Sequence, residues 1–579
     1  MMKNMEYQLK GCELVGWFNL LDEPWISVIV DSNGKCKDVS LKDVFEKAHL
    51  YKGLAGDTKT QDFAVMRMLL AVLHTVFSRF DTKGNKYTYF KLDDRYKQIS
   101  EIDEEDEEDY RDDLYSTWNG LWQEQQFPEI IVSYFEKWRD RFYLFDEEYP
   151  FFQVRKEDIK ADKINKPKAS SILGKNINRL ISESENKTAL FSPKYSNGNN
   201  KDILTASEIA RWLLTFQGYT GLADKVVFKT ENYKSSKGWL FDLGAIYLEG
   251  ENLFQSLMLN CVLPYKENEN LLHAQCPCWE FKSYEIIKHS LRNTMPNNLA
   301  ALYTAWSRGI YIDPYINLDK PFSCNIVKLP DIEHQDNFLE PMTLWRYNEN
   351  GENRGKYTPR KHRAEKALWR SFGLLTLSTR EKNWRKPGIM DWFAEIRPNL
   401  ESDDNRITVL NPLICAVSMQ DDGNATSWVP TDEIMDTLFI DDVVLTDLQK
   451  GGWIIRINET VEKTEEIVES VYKKFIEDIR QIRQISSADF VGQKVKEMYF
   501  AIDLPFRYWL AQLCSKDEKD ERILEWKQIL KKKVEEQAAS FLYSSGRRDY
   551  KGIVEQEKIK NIATAYNNFK DKLNKNLKR

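Results

Sequence analysis

One short segment brings together side chains that could hold a metal ion. His273, Cys276 and Cys278 offer one imidazole and two thiolates, and Cys261 and Cys324 could act as remote partners. Zinc prefers cysteine pairs separated by two to four residues, because both thiolates must reach tetrahedral positions about 2.3 Å from the ion. The single residue between Cys276 and Cys278 therefore favours buried thiols over a zinc site, and we expect no metal and no other cofactor.

An acidic block, residues 101–113, is the second candidate for metal chemistry. Ten of its residues are Asp or Glu, and one is Arg111. Carboxylates are the ligands that Mg²⁺ prefers, but a site needs two or three of them held rigidly around one ion. A continuous run of like charges repels itself and stays in water. We therefore interpret the block as a solvated loop or helix edge.

Other patterns of catalytic residues are absent from the sequence. There is no glycine-lysine phosphate loop, no nucleophile elbow, no HExxH motif and no dinucleotide-binding glycine motif. None of the six histidines lies beside another at metal-ligand spacing. The sequence therefore predicts a protein that is not an enzyme. A metal-dependent nuclease using His273, Cys276 and Cys278 with carboxylates, and a scaffold that binds only protein, remain as alternatives.

A basic stretch, residues 354–386, has the composition of a nucleic-acid surface. It contains eleven Lys or Arg against two Glu, interleaved with aromatic residues. The net charge of -7 hides this separation of charge, and clustered cations can neutralise a phosphate backbone. We predict DNA contacts by Arg360, Lys361 and Arg363. The alternative is that these side chains only cover a core strand at residues 372–377.

The elements that position these residues predict an α+β fold. Residues 26–41 read as a β-hairpin followed by a helix capped by Ser40, and residues 60–80 have the apolar spacing of a long core helix. From Leu448 onward, apolar seams at three-four spacing predict four helices. With 579 residues the chain exceeds one core. We predict a large mixed α/β body over residues 1–447 and a C-terminal four-helix bundle over residues 448–579.

The cell compartment follows from composition. No run approaches the roughly 18 apolar residues that cross a bilayer, so we expect no membrane association and a cytoplasmic location. Eight scattered cysteines do not form a disulfide framework in so long a chain, which predicts reduced thiols.

Three N-terminal motifs resemble the CasA family, the large subunit of the type I-E CRISPR complex Cascade. They are FNLLDEPWISV at residues 18–28, GLAGD at 53–57 followed by QDFAVMRMLL at 61–70, and YLFDEEYPFFQ at 143–153. Their order, a long loop at residues 182–200 and the terminal helices extend the likeness along the chain.

The resemblance implies a non-catalytic subunit that reads a short motif beside the target in double-stranded DNA and starts duplex opening. Guide-RNA pairing then reads the sequence. It implies as partners the target DNA, the crRNA-containing Cascade subunits and a helicase-nuclease recruited after R-loop formation.

The resemblance also implies three DNA-binding features. A glycine loop corresponds to QGYTG at residues 217–221, with Gly218 and Gly221. A lysine finger corresponds to Lys328. A wedge that intrudes into the duplex corresponds to MQDDGNA at residues 419–425. In that wedge, Gly423 allows a tight turn, and Gln420 or Asn424 takes the place of the family's Gln.

Overall fold

The computed structural model divides the chain into two compact units. It describes residues 16–184, 187–191, 201–222, 226–229, 233, 237–264, 273–292, 295–377, 384–400, 411–423, 428–555 and 558–578. Unit 1 comprises Met1–His362, Thr379–Arg406 and Cys415–Met435, and unit 2 comprises Arg363–Ser378, Ile407–Ile414 and Asp436–Arg579. The predicted boundary at residue 447 remains a prediction.

Helices dominate the described chain, and the strands form small separate sheets. The helices are α1 (Leu41–Lys47), α2 (Lys59–Phe77), α3 (Glu107–Glu124), α4 (Ile130–Lys137), α5 (Ala206–Tyr219), α6 (Leu253–Asn260), α7 (Ser283–Leu291), α8 (Leu299–Tyr303), α9 (Phe372–Thr376), α10 (Gly388–Leu400), α11 (Asp442–Thr446), α12 (Trp453–Glu466), α13 (Lys473–Arg483), α14 (Phe490–Ala511), α15 (Lys519–Tyr543), α16 (Arg547–Lys551) and α17 (Ile562–Lys578). The strands are β1 (Trp17–Asn19), β2 (Ile26–Ile29), β3 (Cys36–Val39), β4 (Gly53–Leu54), β5 (Tyr143–Phe145), β6 (Ser170–Leu173), β7 (Ala245–Glu249), β8 (Arg308–Tyr311), β9 (Ser323–Lys328), β10 (Trp345–Tyr347), β11 (Tyr357–Pro359), β12 (Trp384–Arg385), β13 (Leu413–Asp421), β14 (Pro430–Phe439), β15 (Ile553–Glu555) and β16 (Lys558–Lys560).

Sheet order confirms the α+β class. The three-stranded sheets run β3-β2-β4, β6-β9-β8, β11-β10-β12 and β14-β13-β7, and two-stranded sheets pair β1 with β5 and β15 with β16. The predicted N-terminal hairpin is present, because β2 and β3 pair antiparallel with Ile26 opposite Val39. Ser40 caps α1 as predicted, and its hydroxyl accepts the Asp43 N–H at 3.1 Å.

The core of unit 1 forms around α2. Every residue of this helix except Lys59 is buried, and it packs on α5 and α8. Burial of a whole helix forces its charged side chains to find partners. The Arg67 guanidinium donates to both Glu340 carboxylate oxygens at 2.8 and 2.7 Å. Just beyond the end of the helix, Arg79 donates to both oxygens of Glu280 at 2.7 and 3.0 Å.

The third family-like motif links strand β5 to the residue that follows β8 in unit 1. Its last residue, Gln153, is buried. The Gln153 amide donates to the Leu144 carbonyl at 2.7 Å, and its oxygen accepts the Ile312 N–H at 3.2 Å. The motif therefore serves packing.

The acidic block forms the edge of a helix with most of its carboxylates exposed, as the sequence predicted, and apolar residues within it add contacts to the core. Its residues form a short 3-10 turn, Glu104–Asp106, and the first turns of α3. Ile102 and Tyr110 are buried, and the Tyr110 hydroxyl donates to the Ser78 carbonyl at 2.8 Å. Two apolar anchors dock the block, while its carboxylates occupy a helix N-terminus, where negative charge is favourable.

Unit 2 contains the predicted four long helices. They are α12 continuing through a π-helical segment, Ile467–Tyr472, into α13, then α14, α15 and α17. Trp526 lies in their core, and its indole N–H donates to the Thr464 hydroxyl at 2.9 Å. Trp369, from outside the predicted bundle, also lies in this core. It stacks on Phe506 at 4.2 Å and donates to Asp503 at 2.8 Å. In the part of the chain that the structure describes, no helix combines the length and apolarity needed to span a membrane.

Candidate nucleic-acid interface

The predicted wedge falls on an exposed turn between two neighbouring strands of one sheet. We call residues 420–423 the tip turn; β13 ends within it at Asp421, and β14 begins at Pro430. We call the end of β13, with Asp421, and the segment 428–430, with Trp428, the two arms of the turn. Gln420 is exposed. Gly423 has a φ of +66° and no atom within 4 Å of where a Cβ would lie. Glycine adopts this left-handed conformation more readily than residues with a side chain. Asn424 lies outside the described residues.

Lysines neutralise both carboxylates of the tip turn. The Asp421 carboxylate pairs with Lys361 at 2.7 Å, and Asp422 pairs with Lys187 at 2.8 Å. Inside the turn, the Gly423 N–H donates to the Asp421 carboxylate at 3.0 Å. The Asp422 N–H donates to the Val429 carbonyl at 3.2 Å. The negative charge that would repel a phosphate backbone is thus balanced by cations of the same chain.

A 3-10 turn, Trp239–Asp242, contacts the lysines that support both arms of the tip turn. Its Asp242 forms ion pairs with Lys237 and, at 3.7 Å, with Lys361. Lys237 lies over the Trp428 ring at 3.8 Å, and Lys361 lies over the Phe241 ring at 3.9 Å. Burial acts to raise the pKa of Asp242, but Lys237, His334 and Lys361 outweigh it and lower that pKa below its ordinary value.

The two predicted loop glycines serve packing inside unit 1. Gly218 lies in the last turn of α5, and the backbone of Gly238 approaches it so closely that a Cβ on Gly238 would lie 2.2 Å from the Gly218 carbonyl oxygen. Gly221 is buried, and its N–H donates to the Ile181 carbonyl at 3.3 Å. A Cβ there would lie 2.0 Å from the Trp428 carbonyl oxygen. The Gly221 N–H therefore already has a partner within the protein.

Lys328 does not have the placement of a finger. It is the last residue of β9 and is 3% exposed. β9 is the central strand of its sheet, where Lys328 pairs with Arg308. The Lys328 N–H donates to the Val226 carbonyl at 2.9 Å. A side chain with this burial cannot reach DNA from this conformation.

The basic stretch divides between the two units. In unit 1, it contributes β11 and β12 to the sheet with β10, where Arg346, Arg354 and Lys356 are exposed. Arg360 and Lys361 are half-buried. In unit 2, Arg363 is exposed. Of the three cations predicted to contact DNA, Arg363 is therefore the exposed one, and Lys361 pairs with Asp421. Their contacts with DNA stay a prediction.

In the His-Cys segment, burial favours the neutral form of both thiols. Burial raises the pKa of the Cys276 thiol to about 11 and that of the Cys278 thiol to about 12, whereas a zinc ligand must be a thiolate. Within the described ranges, no three His, Cys, Asp or Glu side chains gather into a metal-binding group. Cys276 and Cys278 line a cavity of about 520 Å³ with His273 and His289.

Comparison with known proteins gives consistent matches. Residues 19–537 match the family described as CRISPR-associated protein Cse1. The CRISPR-associated protein CasA/Cse1 of Thermus thermophilus is 27% identical over 265 residues, which are 45% of this chain and 42% of that protein. That alignment therefore spans less than half of the relative's length.

Solved structures are similar over nearly the whole chain. The crystal structure of Thermobifida fusca Cse1 has a TM-score of 0.75 and 24% identity, covering 97% of this chain and 98% of that one. A chain of a CRISPR RNA-guided surveillance complex has a TM-score of 0.62 and 15% identity, covering 96% of this chain and 99% of that one.

Proposed function

Because this chain belongs to the CRISPR-associated protein Cse1 family, we propose that it is the non-catalytic DNA-recognition subunit of an RNA-guided surveillance complex. In this role it reads a short motif beside the target in double-stranded DNA and starts opening the duplex. The guide RNA then reads the target sequence by base pairing, and this pairing needs a duplex that has been opened at one end.

The tip turn is the observation that carries this proposal. A wedge must offset unstacking and unpairing costs of a few kcal/mol at each step it opens. It should therefore be compact, exposed and fixed from outside. Gly423 projects into open space, Gln420 offers an exposed amide, and the supporting contacts come from Lys187, Lys361 and the segment around Asp242.

Exposed cations supply the contacts to the DNA backbone in this proposal. In unit 1, Arg354 and Lys356 are exposed beside the small sheet of the basic stretch, and in unit 2 Arg363 is exposed. Such contacts bind any sequence and weaken as salt rises. Arg360 takes a secondary part because it is half-buried. Gly218, Gly221 and Lys328 have placements that favour structural roles.

The partners follow from the same proposal. A similar structure is a chain of a CRISPR RNA-guided surveillance complex, so we assign the crRNA-containing subunits of Cascade as neighbours. A helicase-nuclease recruited after R-loop formation would carry out cleavage. This chain would then need no metal or cofactor of its own.

The test uses the assembled complex on two DNA targets. One is a matched duplex, and the other has the same sequence pre-melted at the end next to the motif. The variant carries Gln420→Ala, Asn424→Ala and Gly423→Val, and its matched control carries Lys320→Met, an exposed lysine elsewhere in unit 1.

We expect the triple variant to assemble, to lose opening of the matched duplex and to bind the pre-melted target normally. Equal losses on both targets would refute the wedge assignment. Incubating the isolated wild-type chain with duplex DNA and Mg²⁺, Mn²⁺ or Zn²⁺ addresses catalysis, and cleavage would favour the nuclease alternative.

A further inference from the structure

Lys361 and Lys237 contact opposite arms of the tip turn. Lys361 pairs with Asp421 on the arm that enters the turn, at 2.7 Å. Lys237 lies over the ring of Trp428 on the arm that leaves it, at 3.8 Å. Both ammonium groups also pair with Asp242. A single carboxylate therefore links the two arms through two cations.

We propose that Lys237, Lys361 and Asp242 are positioning residues that clamp the two arms of the tip turn, and that Lys361 acts on the turn rather than on a DNA phosphate. The role of the clamped turn in opening DNA rests on the proposed function. The clamp itself is a statement about this chain alone.

The balance of charge favours a clamp and disfavours a phosphate-binding site. Lys237 and Lys361 face the carboxylates of Asp242 and Asp421, so two positive charges meet two negative ones. A group with no net charge attracts a phosphate only weakly, and an incoming phosphate would have to displace both carboxylates. Burial acts to raise the pKa of Asp242, and the nearby cations lower it below its ordinary value because they favour the ionised carboxyl.

Geometry explains why the turn needs support from outside. A Cβ on Gly423 would meet no atom within 4 Å apart from its chain neighbours, and its φ of +66° is a conformation that glycine can readily leave. Among the described residues, bonds within the turn include those of Gly423 to Asp421 and of Asp422 to Val429. The ion pairs of Lys187 and Lys361 and the contact of Lys237 with Trp428 add support from outside the turn.

The first experiment measures backbone hydrogen exchange in the isolated full-length chain, so it needs no DNA. The variants are Lys361→Met and Asp242→Asn, and Lys320→Met is the matched control. We expect peptides covering residues 420–423 and 428–430 to exchange about fivefold faster or more in both variants, with exchange elsewhere unchanged. The control should match the wild type. Unchanged exchange in Lys361→Met would overturn the clamp, whatever the turn does in a complex.

The second experiment separates positioning from phosphate contact in the assembled complex. Binding is followed as a function of salt, and opening is followed with a fluorescent base beside the motif. A positioning role predicts about tenfold slower opening for Lys361→Met with an unchanged salt dependence of binding. A phosphate contact predicts that the slope of log affinity against log salt falls by about 0.9, and that Asp242→Asn tightens binding by freeing the lysines. Either of those two results would overturn the proposal.

A double variant tests whether Lys361 acts through Asp421. If it does, Lys361→Met combined with Asp421→Asn should open DNA no more slowly than the slower single variant, and losses that multiply would count against the clamp. A wild-type complex that opens no duplex would refute the proposed function, and the exchange experiment would still decide the clamp.

Discussion

Replacing Gly221 by Ala distinguishes a packing role from a DNA-contact role for this glycine. The resemblance to CasA implied that missing side chains let the backbone near residues 218–221 approach DNA. In the structure, the close neighbour of Gly221 is the backbone of Trp428. A packing role predicts that the substitution destabilises the protein without DNA. A DNA-contact role predicts that it does not.

The expected loss of stability follows from the geometry. An added Cβ would lie 2.0 Å from the Trp428 carbonyl oxygen and 3.3 Å from Pro430 Cδ. Real contacts of this kind are more than 1 Å longer, so one of the two backbones must move. That movement breaks the bond from the Leu222 N–H to the Trp428 carbonyl, now 2.9 Å. A lost bond of about 1 kcal/mol and overpacking of about 1–3 kcal/mol give a loss of roughly 2–4 kcal/mol.

Thermal unfolding of the isolated chain measures this effect. We expect the transition of unit 1 to shift down by roughly 5 °C in Gly221→Ala. The matched control is Gly53→Ala, because Gly53 has no atom within 4 Å of a Cβ position and lies in a strand; its transition should move by less than about 2 °C. If Gly221→Ala unfolds at the same temperature as the wild type, the packing argument is refuted. Weakened DNA binding by that stable variant would then support the glycine loop as a DNA contact.

Three further predictions test the cores of the two units. Arg79→Met leaves the Glu280 carboxylate buried without its ion-pair partner, so urea unfolding should show a loss of about 3–5 kcal/mol, largely recovered in Arg79→Met with Glu280→Leu; a single variant as stable as the wild type would contradict this. Burial raises the pKa of Asp62 to about 6, so the native state holds this proton more tightly than the unfolded chain. The unfolding free energy should therefore fall by about 2 kcal/mol between pH 4 and pH 6, and Asp62→Asn should remove that component, whereas an unchanged profile would refute it. Trp369→Ala should destabilise unit 2 by about 3–5 kcal/mol. A proteolytic fragment of residues 448–579 lacks Trp369 and should melt below the same helices in the whole chain, and equal melting by circular dichroism would support the boundary at residue 447.

Features with local sequence signals were predictable. The turn residues between β2 and β3, the cap at Ser40 and the apolar spacing of α2 each act over a few positions, and the structure contains all three. The four helices of unit 2 follow from apolar seams of the same kind. Such signals reflect the backbone preferences of a few residues and the burial of one face of a helix or strand. Residues close together in the sequence determine both.

The anchoring of the tip turn was not predictable, because its partners are far apart in the chain. Lys187 and Asp422 are separated by 235 positions and Lys361 and Asp421 by 60. No spacing rule connects them, so the sequence did not indicate either ion pair. The burial of Lys328 was not predictable for a related reason, because burial within β9 depends on neighbouring strands that the segment itself does not specify.

The insertion of Trp369 into the helices of unit 2 has a consequence for synthesis on the ribosome. Trp369 and its hydrogen-bond partner Asp503 are 134 positions apart. At translation rates of about 5–20 residues per second, Trp369 leaves the ribosome on the order of 10 s before the helix that will cover it. During that interval, a side chain that is fully buried in the finished protein has no final partner. Unit 2 therefore completes its core only after synthesis has passed residue 503, and the nascent chain is most open to aggregation or chaperone binding in this window.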